Sequence, residues 1–294
     1  MSSSFVTTVL RTFGVVAQEP GARLESRSGA GVHAARTADG FDAYLKLTPA
    51  ALGPEALAGA RRELRFYRDL APTAPVRTPR LLNWADTDGG VALLLAAAGA
   101  PRQVRSWTPA MWAELGRDLA ALHNMPRPAG PGWSRPDALR QALADPELPA
   151  IGEFWGPTLP RLGEILARRA ELQRQMDALA PVFVHGDCHS DNIALSGESL
   201  VFLDWQGAGI GRPGSDLAFL NVRAIPAGVI APPALLDSYL DGRPGERRTV
   251  ELALLAEELA VFVFLWAPFA AYNTPAGIDR VRHRTQALAQ QWLR

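Results

Sequence analysis

One lysine, Lys46, and one cysteine, Cys188, stand in a chain of 294 residues. A single cysteine closes no intrachain disulfide, and the start Met-Ser-Ser-Ser-Phe-Val lacks a basic segment followed by a sustained apolar run. The expected compartment is therefore the cytoplasm. Excess charge is also missing: 30 basic residues against 30 acidic leave no global field for nucleic acid or an anionic membrane, and neither is expected as a partner. The longest apolar stretch, about 252–267, carries Glu257 and Glu258 near its centre and ends at Pro268. It reads as a buried helix, because central charges are expensive in a bilayer. The scarcity of lysine is the most informative gap. All other members of the thirty are arginine, so Lys46 marks a site that wants a compact point charge in place of a planar fork.

What is present centres on Val182-Phe183-Val184-His185-Gly186-Asp187-Cys188-His189-Ser190-Asp191-Asn192 and its continuation to Leu203-Asp204-Trp205. The apolar runs 182–184, 193–195 and 200–203 are short and rich in β-formers, and Ser196-Gly197-Glu198-Ser199 is turn chemistry, so a β-hairpin is expected. With Leu195 opposite Leu200, Asn192 and Asp204 emerge side by side at its open end. Two hard oxygen ligands of this kind suit Mg²⁺, which is held by one or two carboxylates plus substrate phosphates. Asp187, five residues before Asn192, is left free to act on a substrate proton.

That spacing is the one found in protein-kinase catalytic loops. The wording His185-Gly186-Asp187, His189, Asn192, Leu203-Asp204-Trp205, then Gly211, Pro213 and Asp216-Leu217-Ala218, resembles the aminoglycoside phosphotransferase and choline kinase family. The resemblance implies an α+β, two-lobed, protein-kinase-like fold: an N-terminal lobe over 1–96 with an antiparallel sheet plus one helix, and a mainly helical lobe over 97–294. Nucleotide and Mg²⁺ would lie in the cleft between them. It further implies ATP or GTP as co-substrate and γ-phosphate transfer to a hydroxyl of a small acceptor such as an aminoglycoside, amino alcohol or sugar. Asp187 would be the catalytic base and Asn192 and Asp204 the metal ligands. Lys46 would meet the phosphates and Glu63 would pair with it. His185 and His189 would hold the catalytic loop, and Asp216 would steady that loop through backbone hydrogen bonds, alongside an ordinary helix N-cap role.

The rest of the chain is read around that block. Ser26-Arg27-Ser28-Gly29-Ala30-Gly31, between strands, is a small-residue loop able to fold its backbone over phosphates, with Ser28, Gly29 and Gly31 as candidates. Pro54 starts a helix with Leu57, Ala60, Leu64 and Tyr67 along one face and Glu63 flanking it. A strand is expected over 91–95, and the family resemblance implies that it leads into a hinge near Ala96-Ala97-Ala98-Gly99. Thr108-Pro109 caps a helix ending at Asn124, where His123 reads as a cation near a helix C-terminus. Residues 126–160 are expected to be irregular with short helices, 161–179 one helix, and helices follow near 217–222, 233–241, 248–267 and 277–293. Glu257 and Glu258 either pair with arginines or, near Trp155, Trp266 or Tyr272, receive an amine of the acceptor. Two other readings stand beside the kinase: a nucleotide-binding pseudokinase acting as an interaction module, and a metallohydrolase using His185, Asp187, His189 and Asp204.

Overall fold

Strand periodicity decides what Lys46 can reach. In the computed structural model, which describes residues 3–17, 23–25 and 31–294, Ala43, Leu45 and Leu47 point to one face of a sheet, so Lys46 points to the other. The chain divides into two compact units, Met1–Ala100 with Ala194–Ala208, and Pro101–Ile193 with Gly209–Arg294. The first stretch of the first unit ends at Ala100. The hairpin segment groups with the N-terminal stretch.

The first unit begins with helix α1 (Ser3–Phe13), followed by strands β1 (Val16–Ala17), β2 (Arg23–Glu25), β3 (Gly31–Arg36) and β4 (Asp42–Pro49). Helix α2 (Pro54–Arg65), β5 (Leu81–Thr87), β6 (Gly90–Ala96) and a two-residue strand β7 (Ala100–Pro101) complete its first stretch. The antiparallel sheet runs β1-β3-β4-β6-β5, with β2 also on β3, and Lys46 lies across from Val32 and Leu93. Phe5 and Val9 of α1 pack on Ala35, Ala43, Leu45, Leu47, Ala92 and Leu94, which covers one face. Helix α2 lies against β4 and β6.

No helix over 3–13 was expected, yet Phe5, Val9 and Phe13 stand at intervals of four, the signature of an apolar helical stripe. At the foreseen hinge, Gly99 has φ 82°, and a Cβ there would stand 2.0 Å from the Leu195 carbonyl oxygen. Only a residue without a side chain fits.

The second unit holds α3 (Pro109–Asn124), α4 (Ala138–Ala144), α5 (Leu148–Trp155), α6 (Leu162–Ala167) and α7 (Arg169–Asp177), then strand β8 (Val182–Val184). Thr108 caps α3 by accepting from the Met111 N–H, as expected. The helix expected over 161–179 is instead two, interrupted at Arg168. Leu162, Ile165, Leu172 and Met176 still share one core, and the interruption sets the Arg168 guanidinium 4.6 Å over the Trp292 ring.

The hairpin β9 (Ile193–Ser196) and β10 (Ser199–Phe202) is present, but both strands extend by a serine, leaving Gly197-Glu198 as the turn. Gly197 has φ 62°, the left-handed backbone that a tight hairpin turn demands of its first residue. Strand β11 (Gly209–Gly211) pairs antiparallel with β8, and α8 (Gly214–Ala224), α9 (Pro233–Asp241), α10 (Arg247–Leu265) and α11 (Pro275–Trp292) finish the second unit. Helix α10 supplies Ala256, Leu259, Ala260, Phe262 and Val263 to the core it shares with α7 and α11. Among the described residues no helix is long and apolar enough to cross a membrane.

Candidate active site

Within the first unit, burial makes the lone ammonium need partners. The Lys46 Nζ lies 2.7 Å from Glu63 Oε2 and 2.9 Å from Asp204 Oδ1, with the lysine 6% and Glu63 1% exposed. Burial alone would lower the lysine's pKa, but the two carboxylates outweigh it and raise it, so the ammonium stays charged. Burial, with Asp204 adding to it, pushes Glu63 up against the pull of Lys46. Asp204 is part-exposed, and its Oδ2 is not engaged by Lys46.

Three residues were candidates for a loop over phosphates. Ser28 and Gly29 lie outside the described residues. Gly31 is the first residue of β3, in register with Leu47 and Glu25, so it belongs to strand where loop was expected.

In the second unit, the loop between β8 and residue 193 is held from beneath. Asp216, fully buried, accepts from the backbone N–H of His185 at 2.8 Å and of Gly186 at 2.7 Å. It lies in the first turn of α8, which starts at Gly214, so the N-cap role expected of it is not the one it has. Burial would raise its pKa, but His123, His185 and the Gly186 N–H hold it below the usual carboxylate range. His123 stands in the last turn of α3, near the helix C-terminus as expected. It is buried, with Nε2 3.2 Å from Asp216 and Nδ1 2.8 Å from the Tyr239 hydroxyl.

The histidines of the loop bind its own backbone: His185 Nδ1 accepts from the Asp187 N–H and His189 Nδ1 from the Asp191 N–H. The acceptor role at Nδ1 puts the proton of a neutral His189 on Nε2, 3.6 Å from Asp187 Oδ1. Asn192 Nδ2 donates to the Asp187 carboxylate and to its carbonyl, both at 2.9 Å. Burial would raise the Asp187 pKa, but His189, His185 and Asn192 together lower it, so an ionised carboxylate with its side chain 39% exposed faces out of the loop. Cys188 beside it is fully buried, and burial pushes its thiol well up, which suits packing and not nucleophilic attack.

The profile of the phosphotransferase enzyme family designated APH matches residues 28–252. The chain belongs to that family. No curated protein matches it. Solved structures do. A microcompartment-associated aminopropanol kinase aligns with a TM-score of 0.66 at 14% identity, covering 99% of this chain and 98% of the other. The amicoumacin kinase hAmiN, in complex with AMP-PNP, Ca²⁺ and Ami, aligns at 0.63 and 13%, covering 98% and 94%. A putative fructosamine-3-kinase from Haemophilus somnus 129PT aligns at 0.59 and 15%, covering 99% and 97%. At such identities these likenesses establish the kinase-like fold. Family membership makes the chain a phosphotransferase for small-molecule acceptors.

For this phosphotransferase, the acidic pair on α10 does not wait for a ligand. Glu257 receives Arg212 Nε at 2.9 Å, and the same guanidinium also bonds Asp137. Glu258 is held by Arg284 at 2.9 Å. Both carboxylates thus pair with arginines, the first of the two expected alternatives, and Tyr272 is 80% exposed while Trp155 and Trp266 are buried. The metallohydrolase reading has no ligand set: among the described residues no three His, Cys, Asp or Glu gather as one.

Residues missed in sequence reading include Tyr239, Arg212 and Arg135, whose Nη2 donates to the Gly186 carbonyl at 3.3 Å. Each acts on a partner far along the chain, and no local pattern announces that.

Proposed function

We propose that this phosphotransferase moves the γ-phosphate of ATP or GTP to a hydroxyl of a small acceptor, with Asp187 as base. The observation that carries the reading is the Asp187 carboxylate, kept ionised and part-exposed on a loop whose backbone is fixed by Asp216. A positioned base of this kind orients the acceptor hydroxyl and takes its proton as the phosphoryl group transfers. Lys46, held between Glu63 and Asp204, offers a point charge to the nucleotide phosphates.

The donor chemistry fits a hard divalent cation such as Mg²⁺. Asn192 commits its Nδ2 to Asp187, which leaves Oδ1 as a ligand, and Asp204 brings a carboxylate oxygen not taken by Lys46. When bound, the ion neutralises and orients phosphate oxygens. The cytoplasm, where nucleoside triphosphate is abundant, is the compartment this reading requires.

The solved kinases of this fold are named for, or hold, amicoumacin, fructosamine, aminopropanol, streptomycin and spectinomycin, so the acceptor must be found by assay. ADP release from ATP and GTP, measured against a panel of aminoglycosides, amino alcohols, sugars and macrolides, tests the proposal. Release that depends on one acceptor class, and is lost in Asp187→Asn while nucleotide affinity persists, is the expected result. Nucleotide binding with no turnover on any acceptor would favour an interaction module instead.

A further inference from the structure

Around Lys46 the first unit carries more connections than the ion pairs need. Asp204 is the one non-glycine residue at positive φ among the described residues, at φ 57° and ψ 75°. Backbone of this kind is strained for a residue with a Cβ and persists where its surroundings over-determine it. Trp205 is the first of those surroundings. It is fully buried, its Nε1 donates to the Phe202 carbonyl at 3.2 Å, and its ring lies flat on Phe66 with centroids 3.7 Å apart and planes 11° from parallel.

Phe66 follows Glu63 by three residues at the end of α2, where the helix loosens into a π-helical turn over Phe66–Leu70. That turn brings the neighbouring Phe66 and Tyr67 inward together, leaving them 0% and 3% exposed. Such turns recur at functional sites.

Gln206 makes the second connection. Its carbonyl accepts from Arg62 Nη1 at 2.9 Å, and its side chain packs at Gly59, where a Cβ would stand 3.5 Å from Gln206 Oε1. Its amide lies beside the Glu63 carboxylate, with Nε2 buried. Arg62 and Phe66 thus flank Glu63 on one helix and grip the two residues that follow Asp204. Any shift of α2 that draws Glu63 from Lys46 must also slide Phe66 off the indole and break the Arg62 bond.

We propose that Phe66, Trp205, Gln206 and Arg62 are positioning residues that join α2 to the Asp204 turn as one piece, so that Lys46, Glu63 and Asp204 stand assembled before nucleotide or metal arrives. The use of that triad rests on the phosphotransfer reading. Its assembly does not, and is tested on the ligand-free chain.

The single lysine makes the test direct, because an acylating N-hydroxysuccinimide ester meets one ε-amine and, as internal reference, the N-terminal amine. Mass spectrometry follows both. In the native wild-type protein Lys46 should be acylated at least about tenfold more slowly, against that reference, than in urea. Phe66→Leu, which removes the stack, and Arg62→Gln, which removes the bond to the Gln206 carbonyl, should each speed Lys46 acylation about fivefold or more with far-ultraviolet circular dichroism unchanged. Phe66→Tyr keeps the ring and should keep the protection.

Native wild-type Lys46 reacting within about twofold of its rate in urea would overturn the proposal, as would folded variants as protected as wild type. Should Phe66→Leu not fold, Arg62→Gln, at a less buried position, decides. Absence of MgATP affinity in the wild-type chain would overturn the proposed function and leave the assembled triad standing. Unprotected Lys46 with intact MgATP affinity would do the reverse.

Discussion

At the scale of single residues, the chemistry turns on how burial is offset. Lys46→Arg keeps the charge but replaces a compact ammonium shared by two carboxylates with a longer planar fork. We expect kcat/KM to fall at least about tenfold, roughly 1.4 kcal/mol of transition-state stabilisation. Unchanged kinetics would make the lone lysine an accident of composition.

Glu257 supplies a pH signature. Burial pushes its carboxyl up to about 7, although Arg212 pulls the other way, because that guanidinium is shared with Asp137. An unburied glutamate titrates near 4.5, so the folded chain holds this proton more tightly than the unfolded one. Its contribution to stability is therefore full below about pH 4.5 and is lost as pH rises through 7, on the order of 3 kcal/mol. In a thermal-melting series from pH 5 to 8, wild type should lose stability relative to Glu257→Gln. Parallel profiles would remove the titration from this site.

At the scale of elements, the loop after β8 has its geometry written into Asp216. Asp216→Ala would orphan two buried backbone N–H groups and the His123 ring, each worth about 1–3 kcal/mol when left unpaired. A marked fall in melting temperature with loss of turnover is expected, and an unchanged Tm would show that water or a rearranged loop replaces the carboxylate. Asp216 and Asp187 are both held below the usual carboxylate range, so they stabilise the fold above about pH 4 and that support is lost as acid protonates them.

Elements also explain what sequence reading could and could not reach. The block from Val182 to Trp205 was legible because loop and hairpin chemistry demands fixed local spacing, and Lys46 stood out by scarcity. Helix α1 was legible in principle from Phe5, Val9 and Phe13, although a single apolar stripe without a charged face opposite it is a weak signal. The interruption at Arg168 was not legible, since Leu162, Ile165, Leu172 and Met176 keep one helical phase through it. The partners of His123, Asp216 and Tyr239, were not legible because they lie 93 and 116 residues away, and adjacency along the chain says nothing about such pairs.

At the scale of the whole molecule, the chain leaves the first unit at Ala100 and returns to it for Ala194–Ala208 before finishing in the second. Residues 1–100 expressed alone would therefore lack Asp204 and leave Phe66 without its indole partner. We expect no cooperative melting transition and no MgADP affinity from that fragment. A calorimetric transition like that of the parent would show that the hairpin segment is dispensable to the unit.

That return also sets a clock on biosynthesis. The sheet and α2 emerge from the ribosome long before the strands and the tryptophan that complete their unit, with Pro101–Ile193 to be made in between. At about 5–20 residues per second, those roughly ninety residues take on the order of 5–20 s. For that interval the nascent chain carries an apolar helix face with no occupant, a ready target for a holding chaperone and a window in which slower translation prolongs the risk of misassembly.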